Sequence, residues 1–189
     1  KLKSVTFADG ITYIPSGLFA GCTGIESIEI PDTVTSINTY AFYSSSIQSV
    51  KVGSGLTTIC GAAFKDCKSL NEINLPEALT VIGYEAFEDC INLGTIVFPE
   101  SLIEINAHAF DSCKSLTSIK LPSNLQTLKY GAFYNCTNLQ SVWIPKTITN
   151  ETSYSFTGTS NYYYGPFNGC GKLKSVTFAD GITYIPSGL

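Results

Sequence analysis

Methionine is absent from this chain of 189 residues, and charge is scarce, with Asp, Glu, Lys and Arg together making up 14 %. A natural reading frame opens with Met, so the chain is expected to be a piece of something longer. No apolar run approaches the length of a membrane span, so no membrane insertion is expected of this segment. The net charge of −4 comes without clustered basic residues. That speaks against nucleic acid or an anionic membrane as the partner, because both need such clusters. No Gly-rich phosphate loop or calcium-loop pattern occurs. The one histidine, His108, stands in no Ser–His–Asp pattern. Apolar residues, in contrast, are plentiful at 44 %, so a continuous core is easy to fill and disorder is not expected.

What orders the chain is a repeat. Phe19, Phe42, Phe64, Phe87, Phe110, Phe133 and Phe167 recur at spacings of 23, 22, 23, 23, 23 and 34. The clearest copy, CKSLTSIKLPSNLQTLKYGAFYNC, runs from Cys113 to Cys136. A period this regular predicts a solenoid in which each unit buries its apolar face only against its neighbours. The alternation in Ser118–Leu121 predicts a strand with Ile119 and Leu121 inward, and equivalent stretches start at 4, 27, 49, 72, 95, 141 and 175. Pro31, Pro76, Pro99, Pro122 and Pro145 follow these strands and end their ladders. Successive strands are joined by a full coil of chain, which predicts parallel pairing through right-handed crossovers. The second half of each unit returns with a further apolar pair such as Leu125 and Leu128. The A-F-x-x-C stretch is predicted to form a 3₁₀ or short helical turn. The expected fold is thus an α/β solenoid over residues 1–189, with one parallel strand per repeat of 22–23 residues.

The consensus, with LP after the strand and A-F-x-x-C in the turn, resembles the BspA-like class of leucine-rich repeats over nearly the whole chain. Such repeats occur mainly in surface or secreted proteins of host-associated bacteria and some protozoan parasites. The resemblance implies a cell-surface or secreted location and a role in adhesion or protein recognition. A host or matrix protein, or another cell-surface protein, would be the partner. It implies no catalytic residues and no cofactor, so the chain is not expected to be an enzyme.

Six of the seven cysteines (Cys22, Cys67, Cys90, Cys113, Cys136 and Cys170) stand three residues after a repeat Phe, and Ser45 fills the slot in the short repeat. They are read as buried free thiols in a small apolar slot. Ligands one coil apart would form a line and not a tetrahedron, so no metal is expected. Cys60 lies off this ladder as the accessible thiol. His108 shares its slot with Tyr40, Ala62, Glu85, Gly131 and Gly165, and that variation reads as a surface position. Glu85, Glu88 and Asp89, with Glu100 and Glu104, are read as a solvated polar face.

The long interval contains 11 extra residues within 149–166. Two aromatic runs there, Ser153–Phe156 and Asn161–Tyr164, flank TGTS and predict a β-hairpin or compact loop. Trp143 falls in the outward column Thr6, Glu29, Lys51, Asn74, Val97, Lys120, Trp143 and Thr177, in the coil that carries the insertion. Trp and Tyr bury much area at small entropy cost. The expected ligand patch is therefore Trp143 with Tyr154, Tyr162, Tyr163 and Tyr164. A glycan-binding module using the same rings and a purely structural stalk are the alternatives. Residues 1–18 recur without a change as 172–189. The identity is expected to come either from an array with duplicated blocks or from an engineered overlap, and end-to-end self-association through uncapped termini is a further expectation.

Overall fold

The computed structural model describes residues 2–148, 154–155, 163–183 and 185, without the side chains of 154, 155, 163 and 164. They form a parallel β-solenoid of leucine-rich-repeat type around one apolar core that runs from Ile14 to Cys170. Strands are numbered in chain order. A continuous return-side sheet joins six of them: β1 (Tyr13–Ile14), β3 (Ser36–Ile37), β5 (Thr58–Ile59), β7 (Val81–Ile82), β8 (Glu104–Ile105) and β10 (Thr127–Leu128). The front carries β2 (Ser27–Ile30), β4 (Ser49–Val52) and β6 (Glu72–Ile73) as one sheet. A second front sheet holds β9 (Ser118–Lys120), β11 (Ser141–Ile144) and β14 (Ser175–Phe178). Within the insertion, β12 (Tyr154–Ser155) pairs antiparallel with β13 (Tyr163–Tyr164), as the hairpin expectation has it.

Two features differ from the sequence reading. Coils of the return-side sheet carry a second parallel strand, at the apolar pair taken as a simple return. Its length of two residues is too short to show any alternation. More importantly, no helix forms among the described residues, so the α/β character and the helical turns are not there. The reason lies in where the backbone N–H groups go.

Around Phe87, the N–H groups of Glu85, Phe87 and Asp89 donate to the carbonyls of Ala107, Ala109 and Asp111 in the next coil. The intervening N–H groups of Ala86, Glu88 and Cys90 close tight turns onto Gly83, Glu85 and Phe87. A helix needs every N–H within its own segment, and here alternate ones leave it. The geometry sets a left-handed residue two positions before and two after each Phe from Phe19 to Phe133. Glu85 and Asp89 have φ of 55° and 58°, and the same holds for Tyr40 and Ser44, Ala62 and Asp66, and His108 and Ser112. Side chains pay for this conformation in strain, which the ladder to the next coil offsets.

The same column holds the core together. Phe19, Phe42, Phe64, Phe87, Phe110, Phe133 and Phe167 stack in one file with centroids 4.9–5.6 Å apart. Each such pair adds roughly 0.5–1.5 kcal/mol beyond its buried area. All seven cysteines are free, and the slot proves to be polar as well as small. The thiols of Cys90, Cys113 and Cys136 donate to the carbonyls of Phe64, Phe87 and Phe110 at 3.2 Å, and that of Cys67 to Phe42 at 2.9 Å. A hydroxyl suits a slot that asks for a small donor, which explains Ser45, whose Oγ lies 3.4 Å from Cys67 Sγ. Burial raises the pKa of the Cys67 thiol to about 11 and pushes Cys90 and Cys113 up as well. These thiols stay protonated and unreactive. Cys60 is half-buried, as is Cys22.

Candidate functional site

The front face is where regularity fails. Six of the eight expected front strands form, whereas residues 4–7 and 95–98 do not. The second gap falls mid-face and separates β6 from β9, so the front ladder is broken there while the return sheet behind it continues through β7 and β8. Asn74 shortens the β4–β6 ladder on the near side of the break. Its side-chain Oδ1 accepts from Val52 N at 2.8 Å, and its Nδ2 donates to Val52 O at 3.0 Å. An amide side chain thus takes the place of a ladder partner, and β6 stops at Ile73. In the next coil Phe98 stands where Ile30, Val52, Leu75, Leu121 and Ile144 stand, and where Phe7 and Phe178 stand in the first and last copies. Its ring reaches forward, edge-on to Phe110 at 5.5 Å and to Phe133 at 6.3 Å.

Beside this break lies a cavity of 300 Å³ lined by Glu72, Ile73, Asn74, Glu77, Ile96 and Val97, among others. Val97 is 81 % exposed, the largest exposure of any big apolar side chain among the described residues. The backbone of Thr95–Phe98 has no ladder partner on either side. Thr95–Phe98 thus presents backbone N–H and C=O groups outside any ladder, with Val97 and the exposed carboxylates of Glu72 and Glu77 beside them.

Trp143 stands on β11 between Lys120 of β9 and Thr177 of β14, half-buried, as the outward column predicts. The Lys120 ammonium sits 5.5 Å from the centre of its ring and covers part of its face. The hairpin sets Tyr154 opposite Tyr164 and Ser155 opposite Tyr163. Tyr162 lies outside the described residues. In chain order the hairpin falls between the front strand β11 and the turn column at 165–170, so Trp143 and the tyrosines belong to different parts of their coil. Farther along the face, Lys51 and Glu29 pair at 2.6 Å with both side chains about 70 % exposed, a contact of small energetic weight.

A second polar cluster lies on the turn column, where the sequence reading saw only solvated surface. Lys65 Nζ is 2.6 Å from Glu85 and 2.8 Å from Glu88, and all three side chains are less than a quarter exposed. The Lys65–Glu88 approach is off the hydrogen-bonding direction, which leaves Glu88 Oε2 buried without a hydrogen bond. Burial, assisted by the Glu85 charge, pushes the Glu88 carboxyl above its usual range against the pull of Lys65. Burial acts the same way on Glu85, but Lys65 and the Tyr84 hydroxyl outweigh it and hold that carboxyl low. The hydrogen bond to Glu85 in turn raises the Tyr84 phenol to about 12.

His108 is half-buried and paired. Its Nδ1 pairs with Asp111 Oδ2 at 2.9 Å, which raises its pKa against the effect of burial. Its ring meets Tyr84, Tyr130 and Tyr134 edge-on. Gly131 makes room for it, since a Cβ at that position would come within 2.7 Å of the imidazole. Variation in this slot therefore conceals a paired His–Gly contact between adjacent coils. Among the described residues no group of His, Cys, Asp or Glu could hold a metal ion.

The chain is similar to several solved leucine-rich repeat structures. The Treponema pallidum leucine-rich repeat protein TpLRR is 31 % identical with a TM-score of 0.72, and the match covers 80 % of this chain and 69 % of that one. A leucine-rich cell surface protein of Faecalibacterium prausnitzii is 21 % identical (TM-score 0.55, 96 % of this chain, 61 % of that one). The pneumococcal vaccine antigen PcpA is 20 % identical (TM-score 0.63, 97 % and 53 %). At these lower identities the likeness concerns the fold. No curated protein matches the chain. Leucine-rich repeats of this kind are generally non-catalytic. The model of the BspA-type leucine-rich repeat region matches residues 1–114 and 81–165 in six copies. The chain belongs to the BspA-type leucine-rich repeat family.

Proposed function

We propose that this chain is the recognition segment of a cell-surface or secreted adhesion protein. In this reading it takes an extended, basic stretch of a host or matrix protein on its front face. The observation that carries the reading is the break in the front sheet. At Thr95–Phe98 an unpaired backbone, the exposed Val97 and the carboxylates of Glu72 and Glu77 lie beside one cavity. Main-chain hydrogen bonds from an added strand would supply affinity, and the carboxylates would select Lys or Arg in the bound segment. Trp143 with Tyr154, Tyr162, Tyr163 and Tyr164 is the second contact patch in this proposal. A surface location is supported by the similarity of fold to proteins described as a cell surface protein and a vaccine antigen.

The test uses arrays of matrix proteins and of glycans probed with the intact chain. Val97→Glu should reduce capture by a matrix protein roughly tenfold, which is about 1.4 kcal/mol, while leaving the melting temperature unchanged. Capture that survives Val97→Glu but is lost with Tyr163→Ala and Tyr164→Ala would move the site to the hairpin. Capture by glycans alone, abolished by Trp143→Ala, would favour the carbohydrate reading. Absence of capture on both arrays would favour a structural stalk.

A further inference from the structure

Charge is divided along the chain in a way that the net value hides. From Glu26 to Asp111 there are twelve carboxylates and three lysines, whereas from Ser112 to Lys174 there are six lysines and one carboxylate, Glu151. The lysines of the two stretches are also used differently. Lys51, Lys65 and Lys68 in the acidic stretch each pair with a carboxylate at 2.6–3.2 Å. Among the described residues, Lys114, Lys120, Lys146, Lys172 and Lys174 pair with none, and all five are exposed. Their charges are left for a ligand to meet.

The coils gather these five lysines onto one half of the front, the side of β9, β11 and β14. Lys120 on β9 is the register partner of Trp143 on β11, with its ammonium 5.5 Å from the indole centre. Lys146 follows β11, and Lys174 leads into β14. The Lys174 N–H donates to Gln140 O at 2.9 Å, and the Gln140 N–H donates in turn to Thr117 O at 2.8 Å. Just ahead of them, Lys172 Nζ donates to Asn138 Oδ1 at 2.7 Å and Asn138 Nδ2 donates to Lys114 O at 2.8 Å. Thr117, Ser118, Gln140 and Thr177 are exposed among the lysines, so hydroxyl and amide groups fill the spaces. Asp180, past the end of β14, is the one carboxylate among the described residues from 112 to 183. At the rise of an extended strand, Gln140–Lys146 spans about 20 Å.

We infer that this half of the front face binds an anionic polysaccharide, a chain of pyranose rings carrying sulfate or carboxylate groups. An indole offers a flat apolar face to a sugar ring, and the Lys120 ammonium beside it meets an anionic substituent of the same sugar. Serine, threonine and glutamine side chains both donate and accept, which suits the hydroxyls of the remaining rings. Lysines dispersed over about 20 Å of strand match charges repeated along a chain better than they match one compact anion. An acidic peptide would use the ammonium groups and leave most of the hydroxyl and amide groups to water. The sequence shows no basic cluster because these lysines are scattered from 114 to 174, and only the stacking of coils brings them together. The site is separate from the break at Thr95–Phe98, where Glu72 and Glu77 carry the opposite charge. It stands whether or not that break takes a protein segment.

Retention of the intact chain on immobilised heparin, hyaluronan and neutral dextran tests the idea. Heparin should retain the chain and dextran should not, with release as salt rises. Retention on hyaluronan as well would show that carboxylate groups suffice, and retention on heparin alone would assign the site to sulfate. Lys120→Gln/Lys146→Gln/Lys174→Gln should weaken retention roughly tenfold with an unchanged melting temperature. Trp143→Ala should weaken it about threefold, and Trp143→Tyr should restore most of the loss. Lys51→Gln/Lys68→Gln should leave retention as it was. Glu72→Gln/Glu77→Gln, which should lower capture of a basic segment at the break, should not lower it, so the two readings fail separately. Three results would overturn the proposal. The first is no retention on either anionic polysaccharide. The second is an equal loss from the Lys51/Lys68 pair. The third is displacement by poly-glutamate or single-stranded DNA as readily as by the polysaccharide at equal charge, which would make the face a plain anion exchanger.

Discussion

The turn column and the front face are built from the same coils and obey opposite rules. Along the column each coil gives three backbone N–H groups and, in most repeats, a thiol to a neighbouring coil, and the Phe file runs unbroken from Phe19 to Phe167. Across the front, a single ladder is cut in two at Thr95–Phe98, and the outward column changes from Glu29 and Lys51 to Val97 and Trp143. Redundant bonding on one side lets the other side vary. Bonding is concentrated where the repeat is strict, and freedom to vary is concentrated where it lapses.

Breaking the column should have the largest effect. Phe110→Ala removes a fully buried ring from the middle of the file and should cost about 3–5 kcal/mol in chemical denaturation. Val97→Thr on the front should stay within about 0.5 kcal/mol of the parent. Equal losses at the two positions would erase the contrast between the faces.

A smaller effect is expected at Gly131, which has φ of 62° and faces the His108 ring. Gly131→Ala should cost about 1–3 kcal/mol. Part of that loss should return in the double variant with His108→Ala, giving a coupling energy that a thermodynamic cycle reads directly. Simple additivity would mean that backbone strain alone makes glycine necessary there.

The smallest effect belongs to the His108–Asp111 pair. The folded-state pKa of His108 lies above its ordinary value of 6.5. Its stabilisation is therefore complete below that value and is lost as pH rises through the folded pKa. A thermal scan from pH 6 to pH 8 should show a decline of under about 1 kcal/mol that His108→Gln removes. A rise in stability over this interval would contradict the ion pair.

The period, the Phe file and the thiol slot are legible in the sequence because one core position recurs with one residue type. The paired hairpin residues are legible for a similar reason, since two aromatic runs flank a turn. What stays hidden has a physical cause in each case. The A-F-x-x-C spacing suits a helical turn as well as it suits the observed column. The left-handed residues Tyr40, Ala62, Glu85 and His108 carry none of the glycine or asparagine signal that such positions usually show. The front break is invisible because Thr95–Phe98 alternates as well as any other strand. The polar cluster at Lys65, Glu85 and Glu88 is likewise assembled from two coils, so no local pattern announces it.

The break also has a mechanical consequence. A solenoid pulled from both ends would carry tension along its axis, with every junction between coils bearing that load in series. Along the return-side sheet, the β3–β5 and β5–β7 junctions share it among the column, the return strands and the front ladder. The junctions on either side of Thr95–Phe98 have only the first two. Under a rising pull the rod should hold longest between β3 and β7, where all three elements act together, and yield outside that stretch.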